Sequence, residues 1–350
     1  MSYFREVINF MEEYIPGEQP EEEGYIKLNT NENPYPPSPL VEEKIKEALS
    51  EGRISLYPPP LGGKLREKAQ EVYGLPRDWI AVGNGSDELL NLLFRLFLGK
   101  GDRVAYPFPT YTLYRTLAFL QEAEREEIPF PPDFSLPDSF LGCSAKLKVV
   151  SNPNSPTGTF LSLSQIEKLL SLSSCPVIVD EAYVDFAPYS VFSLLQDFPN
   201  LIIVRTLSKS FSLAGLRVGL LFASPDIVRG ILKIKDSYNV GILPQVGGAA
   251  ALEDIEYMKK NVEKIKSTRE WFSEEMRQLG FLVYPSQANF IMVKKERRDL
   301  KFLYEELKRR KILIRYFPEW PDSLRITIGK EKEMKILLAA IQEIIEGVNV

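Results

Sequence analysis

Short apolar runs separated by segments of helical period dominate the middle of the chain. Those at 80–82, 103–106, 148–150, 176–179, 201–204 and 219–222 are too short for helices and predict strands. Between them, apolar residues recur at helical spacing over 65–73, 87–98 and 164–171. From about residue 57 to about residue 252, strands and helices therefore alternate. That alternation predicts an α/β unit whose mostly parallel sheet is covered on both faces. Ahead of it, residues 1–55 are acidic and rich in proline. A helix is predicted over 38–50, with Pro39 early and Leu40, Val41, Ile45, Ala48 and Leu49 roughly on one face. The pattern changes again near Glu253. A long amphipathic helix over 255–279 precedes strand-like runs at 290–293, 312–314 and 324–328. A basic helix around 300–310 and a closing helix over 331–346 complete a small α+β unit. The expected organisation is a large domain over 56–252 and a smaller one built from 1–55 and 253–350.

Composition narrows the chemistry. The 350 residues include no histidine. Ser-His-Asp and Cys-His catalysis are thereby excluded, as are His-ligated zinc sites. Acid–base work falls to Lys, Asp, Glu, Tyr or Cys. The two cysteines, Cys143 and Cys175, form no C-x-x-C pair, and a reducing cytoplasm suits them. A net charge of -5 argues against general nucleic-acid binding. The opening Met1-Ser-Tyr-Phe-Arg-Glu6 lacks a basic segment followed by an apolar core, so no secretory signal is expected. No apolar run is long enough to predict a membrane span.

Four stretches fall where strands of the large unit should end. Val82-Gly-Asn-Gly-Ser-Asp-Glu88 runs straight into a helix. The N–H groups of Gly85, Ser86 and Asp87 at a helix start suit a phosphate, although a plain cap by Ser86 or Asp87 suits the same residues. Ser151-Asn-Pro-Asn-Ser-Pro-Thr-Gly158 carries amides and hydroxyls fit to bond a ring substituent, or is an ordinary Pro-Gly turn. Val179-Asp-Glu-Ala-Tyr183 ends an apolar strand in two carboxylates, whose desolvation must be offset by partners. A buried Asp180 could hold a pyridine nitrogen protonated, or serve as a cap or structural ion pair. The fourth is Thr206-Leu-Ser-Lys-Ser-Phe-Ser-Leu-Ala-Gly-Leu-Arg-Val-Gly219. It sets Lys209 between hydroxyls, with Arg217 between two glycines. An amine beside an anion site is what a Schiff-base cofactor needs.

Taken in order, these stretches resemble the fold-type I pyridoxal-phosphate enzymes. Within them the chain is similar to the class II aminotransferases of the histidinol-phosphate aminotransferase family. The resemblance runs nearly end to end. It includes Leu28-Asn-Thr-Asn-Glu-Asn-Pro-Tyr35, Tyr57-Pro58, Pro109-Thr-Tyr-Thr-Leu-Tyr114 and Leu324-Arg-Ile-Thr-Ile-Gly329, beside the stretches already quoted. It implies pyridoxal 5'-phosphate as cofactor, with Lys209 as the Schiff-base lysine. It implies Asp180 at the pyridine nitrogen, Tyr183 at the ring hydroxyl and Tyr111 on the ring face. Gly85, Ser86, Asp87, Ser208 and Arg217 would hold the phosphate, with Thr206 and Asn154 among the cofactor-binding residues. Tyr57 would reach the phosphate of a neighbouring subunit, making a homodimer a functional requirement. Arg325 would receive the substrate carboxylate, and Arg315, Tyr14, Asn33 and Tyr238 are further candidates for the substrate pocket. The implied reaction moves an amino group from histidinol phosphate to 2-oxoglutarate. Aromatic amino-acid transamination and threonine-phosphate decarboxylation are the alternatives on this scaffold. One position departs from the family, which commonly has Asn where this chain has Ser155. Either Asn154 or Asn152 takes over the bond to the ring hydroxyl, or Ser155 supplies a shorter donor.

Overall fold

The computed structural model describes residues 3–11 and 17–347. Its centre is a seven-stranded sheet. In spatial order the strands are Ile80–Asn84, Val218–Ala223, Leu201–Thr206, Val177–Asp180, Leu147–Ser151, Arg103–Phe108 and Glu124–Pro129. Neighbours run parallel except at Val218–Ala223, which is antiparallel to both of its partners. All six predicted apolar runs lie in these strands. The residues from Val177 to Val179 and from Leu201 to Val204 are fully buried. One side of the sheet carries Val149, Ile178, Ile202 and Val204 in one apolar layer; the other carries Val150, Val177, Val179 and Ile203 in a second. Burial on both faces is why these strands read as continuous apolar runs rather than as alternation.

This topology creates one functional edge. Six strands point the same way, so Asn84, Phe108, Ser151, Asp180 and Thr206 all end there. The antiparallel strand begins at the same edge, which brings Arg217, the residue just before it, alongside them.

A second, four-stranded antiparallel sheet has the order Arg315–Tyr316, Ser323–Thr327, Phe290–Lys294 and Leu282–Val283. Helix Ile255–Gln278, 24 residues long, leads into it from the large-sheet region. The early strand Ile26–Lys27 pairs with Ile312–Leu313, and Thr327 N–H donates to Leu28 O at 3.0 Å. The N-terminal segment is thus tied to the C-terminal sheet. Among the described residues, no helix is long and apolar enough to cross a membrane.

Candidate functional site

A cavity of about 290 Å³ opens between the functional edge and the small antiparallel sheet. Ser86, Asp87, Tyr111, Asp180, Tyr183, Thr206, Ser208, Lys209, Arg217, Arg315 and Arg325 all line it. Residues expected from widely separated stretches therefore meet at one place.

The helix Gly85–Phe97 starts directly after its strand, and the side chain of its N-cap residue, Asn84, makes no capping bond. Its first N–H groups have no partner within the helix, and the helix dipole adds positive potential there. Gly85 has φ +80° and lies beneath Arg217: a Cβ on it would sit 2.6 Å from Arg217 Nη2. Arg217 itself takes a left-handed conformation, with φ 53° and ψ 62°. Its Nη2 lies 2.8 Å from Asp87 Oδ2, and Tyr111 donates to the other Asp87 oxygen at 3.3 Å. Thr206 Oγ1 donates to Ser208 Oγ at 2.9 Å, so the two hydroxyls form one buried corner. N–H groups, hydroxyls and a guanidinium converge here as they would on an anion.

Asp180 closes the Val177–Asp180 strand and is 3% exposed. Tyr114 donates to its Oδ2 at 2.8 Å, and the N–H of Ala182 donates to Oδ1 at 3.1 Å. Burial pushes its ionisation up to about 6, against these two donors, with Asp87 and Glu181 adding to the rise. An ionised carboxylate in this place gains most from a cationic partner inside the cavity. Tyr183 is also buried, and its hydroxyl accepts from Asn31 Nδ2 at 2.9 Å. Lys209 is half-buried; its Nζ donates to Thr30 O at 3.2 Å and lies 5.9 Å from the centre of the Tyr183 ring.

On the opposite sheet, Arg315 stands directly across from Arg325 in the antiparallel ladder. Arg325 Nη2 donates to Asn29 O at 2.9 Å and Nη1 to Ser155 Oγ at 3.5 Å. Both guanidinium groups stack near Phe317, at 5.7 Å and 5.8 Å. Two like charges facing each other across a ladder repel. An anion between them reverses that.

Several expected residues do not reach the cavity. Asn154 is turned into its own loop, with Nδ2 donating to Pro109 O at 3.0 Å and to Thr157 Oγ1 at 2.8 Å. Asn152 is engaged with both backbone groups of Leu161. Of the three alternatives, Ser155 is the one that lines the cavity. Asn33 is a strut rather than a pocket residue: its Nδ2 donates to the carbonyls of Lys209 and Ser210 at 2.9 Å and 3.0 Å. Tyr238 stacks on Tyr57 at 4.4 Å, away from the cavity of its own chain, and the pair is 46% and 82% exposed. Tyr14 lies outside the described residues.

Two further residues, Asn31 and Tyr114, belong to the site. Asn31, with φ 55°, is pinned by Thr327 and Asn289 and presents its amide to Tyr183. The stretch Asn29-Thr-Asn-Glu-Asn33 carried the signal, but its alternating asparagines gave no ground for choosing the middle one. Tyr114 was present in a quoted motif without an assigned task.

By chemistry, this donor set fits a flat, phosphate-bearing nitrogen heterocycle. It offers an anion cradle, a buried carboxylate for a ring nitrogen, an aromatic face and an amine. Comparisons with known proteins point the same way. The family model for aminotransferases of class I and II matches residues 23–341. Histidinol-phosphate aminotransferase 1 of Trichormus variabilis is 42% identical over 348 residues, covering 98% of this chain and 99% of that protein. The histidinol-phosphate aminotransferase of Rhodopirellula baltica is 42% identical over 352 residues, covering 99% and 97%. Among solved structures, the histidinol-phosphate aminotransferase of Sinorhizobium meliloti, in complex with pyridoxal-5'-phosphate, superposes with a TM-score of 0.90 at 24% identity, covering 99% of both chains. Matches at this identity over nearly the whole chain leave one conclusion: the chain belongs to the class I and II aminotransferases, within the histidinol-phosphate aminotransferase family.

Proposed function

We propose that the protein is a pyridoxal-phosphate-dependent transaminase that takes the amino group of histidinol phosphate and passes it to 2-oxoglutarate, yielding imidazole acetol phosphate and glutamate. The observation that carries this reading is one cavity lined by a lysine amine, a buried carboxylate, a helix start and two opposed arginines. The family membership points to the same reaction.

Ser86 and Asp87, seated on Gly85, would hold the cofactor phosphate with Thr206, Ser208 and Arg217. Asp180 would meet the ring nitrogen, Tyr183 the ring hydroxyl and Tyr111 the ring face. When bound, the cofactor supplies an electrophilic carbon for an amine and a sink for the electrons left when the α-proton departs. Asp180 keeps that sink effective, because its negative charge favours a protonated ring nitrogen. Lys209 is the one lysine lining the cavity among the described residues. In a chain without histidine, its Nζ is the group placed to take up the substrate α-proton and hold it for return. Thr30 O holds that nitrogen on the cavity wall, and Asn33 fixes the backbone that carries it. Arg325 and Arg315 meet the anionic ends of both substrates. A guanidinium fork bonds a carboxylate and a phosphate equally well, which suits a site that must take both.

We read the enzyme as a cytoplasmic homodimer, with residues 56–252 as the cofactor-binding domain and 1–55 plus 253–350 as the smaller one. Exposed Tyr57 stacks on exposed Tyr238 and is close in the chain to exposed Ile54, Leu56 and Leu61, apolar residues that a second copy would cover. From there Tyr57 would reach the phosphate in the neighbouring subunit. Free Cys143 and Cys175 agree with a reducing compartment.

The test offers purified protein histidinol phosphate with 2-oxoglutarate and follows glutamate. Parallel reactions contain phenylalanine, tyrosine or threonine phosphate. Faster turnover of an aromatic amino acid, or carbon dioxide from threonine phosphate, would overturn the assignment.

A further inference from the structure

We propose that Tyr114 is a positioning residue for the cofactor ring: its hydroxyl orients Asp180 and its ring edge orients Tyr111, so one buried side chain sets both groups that meet the ring. The inference rests on the cofactor reading above.

Tyr114 lies in the first turn of helix Leu113–Leu120 and is 0% exposed. Its hydroxyl donates to Asp180 Oδ2 at 2.8 Å. Its ring meets Tyr111 edge to face, with centroids 5.8 Å apart and planes at 83°. Phe94 at 6.5 Å and Tyr106 at 5.9 Å pack against the same ring. With neighbours on these sides, the phenol has little freedom to swing away from Asp180. A phenylalanine would fill the same apolar space. The hydroxyl is therefore explained by the polar groups it meets, the Asp180 carboxylate it donates to and the Ser151 hydroxyl beside it, since a buried polar group needs a partner.

The type of donor matters as much as its place. Asp180 has two oxygens and two donors, Tyr114 O–H and Ala182 N–H, and both donors are neutral. They fix the direction of the carboxylate without cancelling its charge, which stays available to the ring nitrogen. A histidine or arginine at this place would compete with the ring as counter-cation. Burial holds the Tyr114 hydroxyl well above its ordinary ionisation range, with Asp180 adding to the rise, so it remains a neutral donor. The other charged groups bearing on Asp180 are Asp87 and Glu181; Lys209 and Arg217 line the same cavity. Contacts continue from Tyr114 through Tyr111 to Asp87 and Arg217. The ring partner and the phosphate cradle are thus joined by one line of side chains that starts at buried Tyr114 and ends at half-exposed Asp87 and Arg217.

Tyr114→Phe removes only the oxygen. The assay titrates the protein with pyridoxal 5'-phosphate by absorbance across a pH series, independently of turnover. Loss of a hydrogen bond to a charged group predicts about tenfold weaker cofactor binding at neutral pH. Asp180 then loses a donor that favours its ionised form, so the acid limb of the affinity profile moves up by about one pH unit. Tyr106→Phe is the control: it deletes a mostly buried hydroxyl bound to Glu127 at 3.0 Å, and leaves the limb in place. If Tyr114→Phe does not fold, 3-fluorotyrosine at position 114, a stronger donor, must move the same limb downward. An unchanged limb in Tyr114→Phe, or equal losses in Tyr114→Phe and Tyr106→Phe, overturns the proposal. If the unaltered chain binds no cofactor, the reading of the function fails and this inference with it. If the unaltered chain binds and Tyr114→Phe behaves identically, only this inference fails.

Discussion

Gly219→Ala tests whether the proposed phosphate cradle depends on two backbones touching. Gly219 sits in the antiparallel strand, opposite Gly83 on one side and Thr206 on the other. A Cβ there would lie 2.5 Å from the carbonyl carbon and oxygen of Gly85, and 2.8 Å from the nitrogen of Ser86. These are main-chain atoms of the helix start, so no change of rotamer relieves the clash. Carbon contacts become favourable near about 3.5 Å, so one segment must retreat by roughly 1 Å. Overpacking of this kind costs about 1–3 kcal/mol. If that falls on the bound state, pyridoxal-phosphate affinity drops by about fivefold to a hundredfold. The other glycine beside Arg217 supplies the control. A Cβ on Gly215 meets nothing within 4 Å, so Gly215→Ala should bind as the parent does. The assay is absorbance titration with the cofactor, joined to melting curves with and without it. Parental affinity in Gly219→Ala, or an equal loss in Gly215→Ala, would refute the reasoning.

Lys209→Ala should fold, as judged by circular dichroism, yet complete no catalytic cycle; sustained glutamate formation by this variant would remove Lys209 from its role. Asp180→Asn should reveal what ionisation costs the cofactor-free fold. The native ionisation near 6 lies above the ordinary carboxylate value, so the stability tied to the protonated form is present below about pH 4 and lost as pH rises through about 6. Relative to the parent, Asp180→Asn should therefore gain about 3 kcal/mol between those limits, measured by denaturant unfolding of cofactor-free protein, whatever constant offset the new amide brings. A pH-independent difference would contradict burial as the cause. Arg325→Gln should lower kcat/KM by about a hundredfold for histidinol phosphate and for 2-oxoglutarate alike, since two charge-assisted bonds are lost from each. Arg325→Lys should recover only part, because a single ammonium cannot reproduce the fork. A loss confined to one substrate would separate the two anion sites.

The sequence made the large sheet legible because its strands are buried on both faces and so stand out as apolar runs. The strand Glu124–Pro129 did not stand out, and its position explains why. It is an edge strand in which Glu124 and Arg125 are exposed and only Ile128 is fully buried, and these charges stand where a bare edge would invite pairing. Helix Ile242–Glu253 was missed for a different reason. Gly247 and Gly248 inside it have low helix propensity, yet a Cβ on Gly247 would sit 2.6 Å from Leu216 Cδ1, so close packing demands the small residue. The direction of Val218–Ala223 has no local signature. In the site, Lys209, Asp180 and Arg217 stood out because charged residues beside the ends of apolar strands are rare without a purpose, whereas Arg325, in mid-strand, was named only through the family resemblance. The choice among Asn29, Asn31 and Asn33 was not, since it depends on Thr327 and Asn289, which lie near the far end of the chain.

That last dependence bears on how the enzyme comes into being. Asn31 joins Thr327 across 296 positions, and Lys209 Nζ reaches Thr30 across 179. Contacts of such separation reward the chain only after long loops have closed, so they form slowly relative to local helices. The large sheet can nucleate from neighbouring strands, whereas the cavity must wait for both ends of the chain to dock. A folding experiment started in the presence of pyridoxal phosphate should then show helix signal first and cofactor capture last. The cofactor would bind only the finished molecule and, by mass action, pull the final docking step forward.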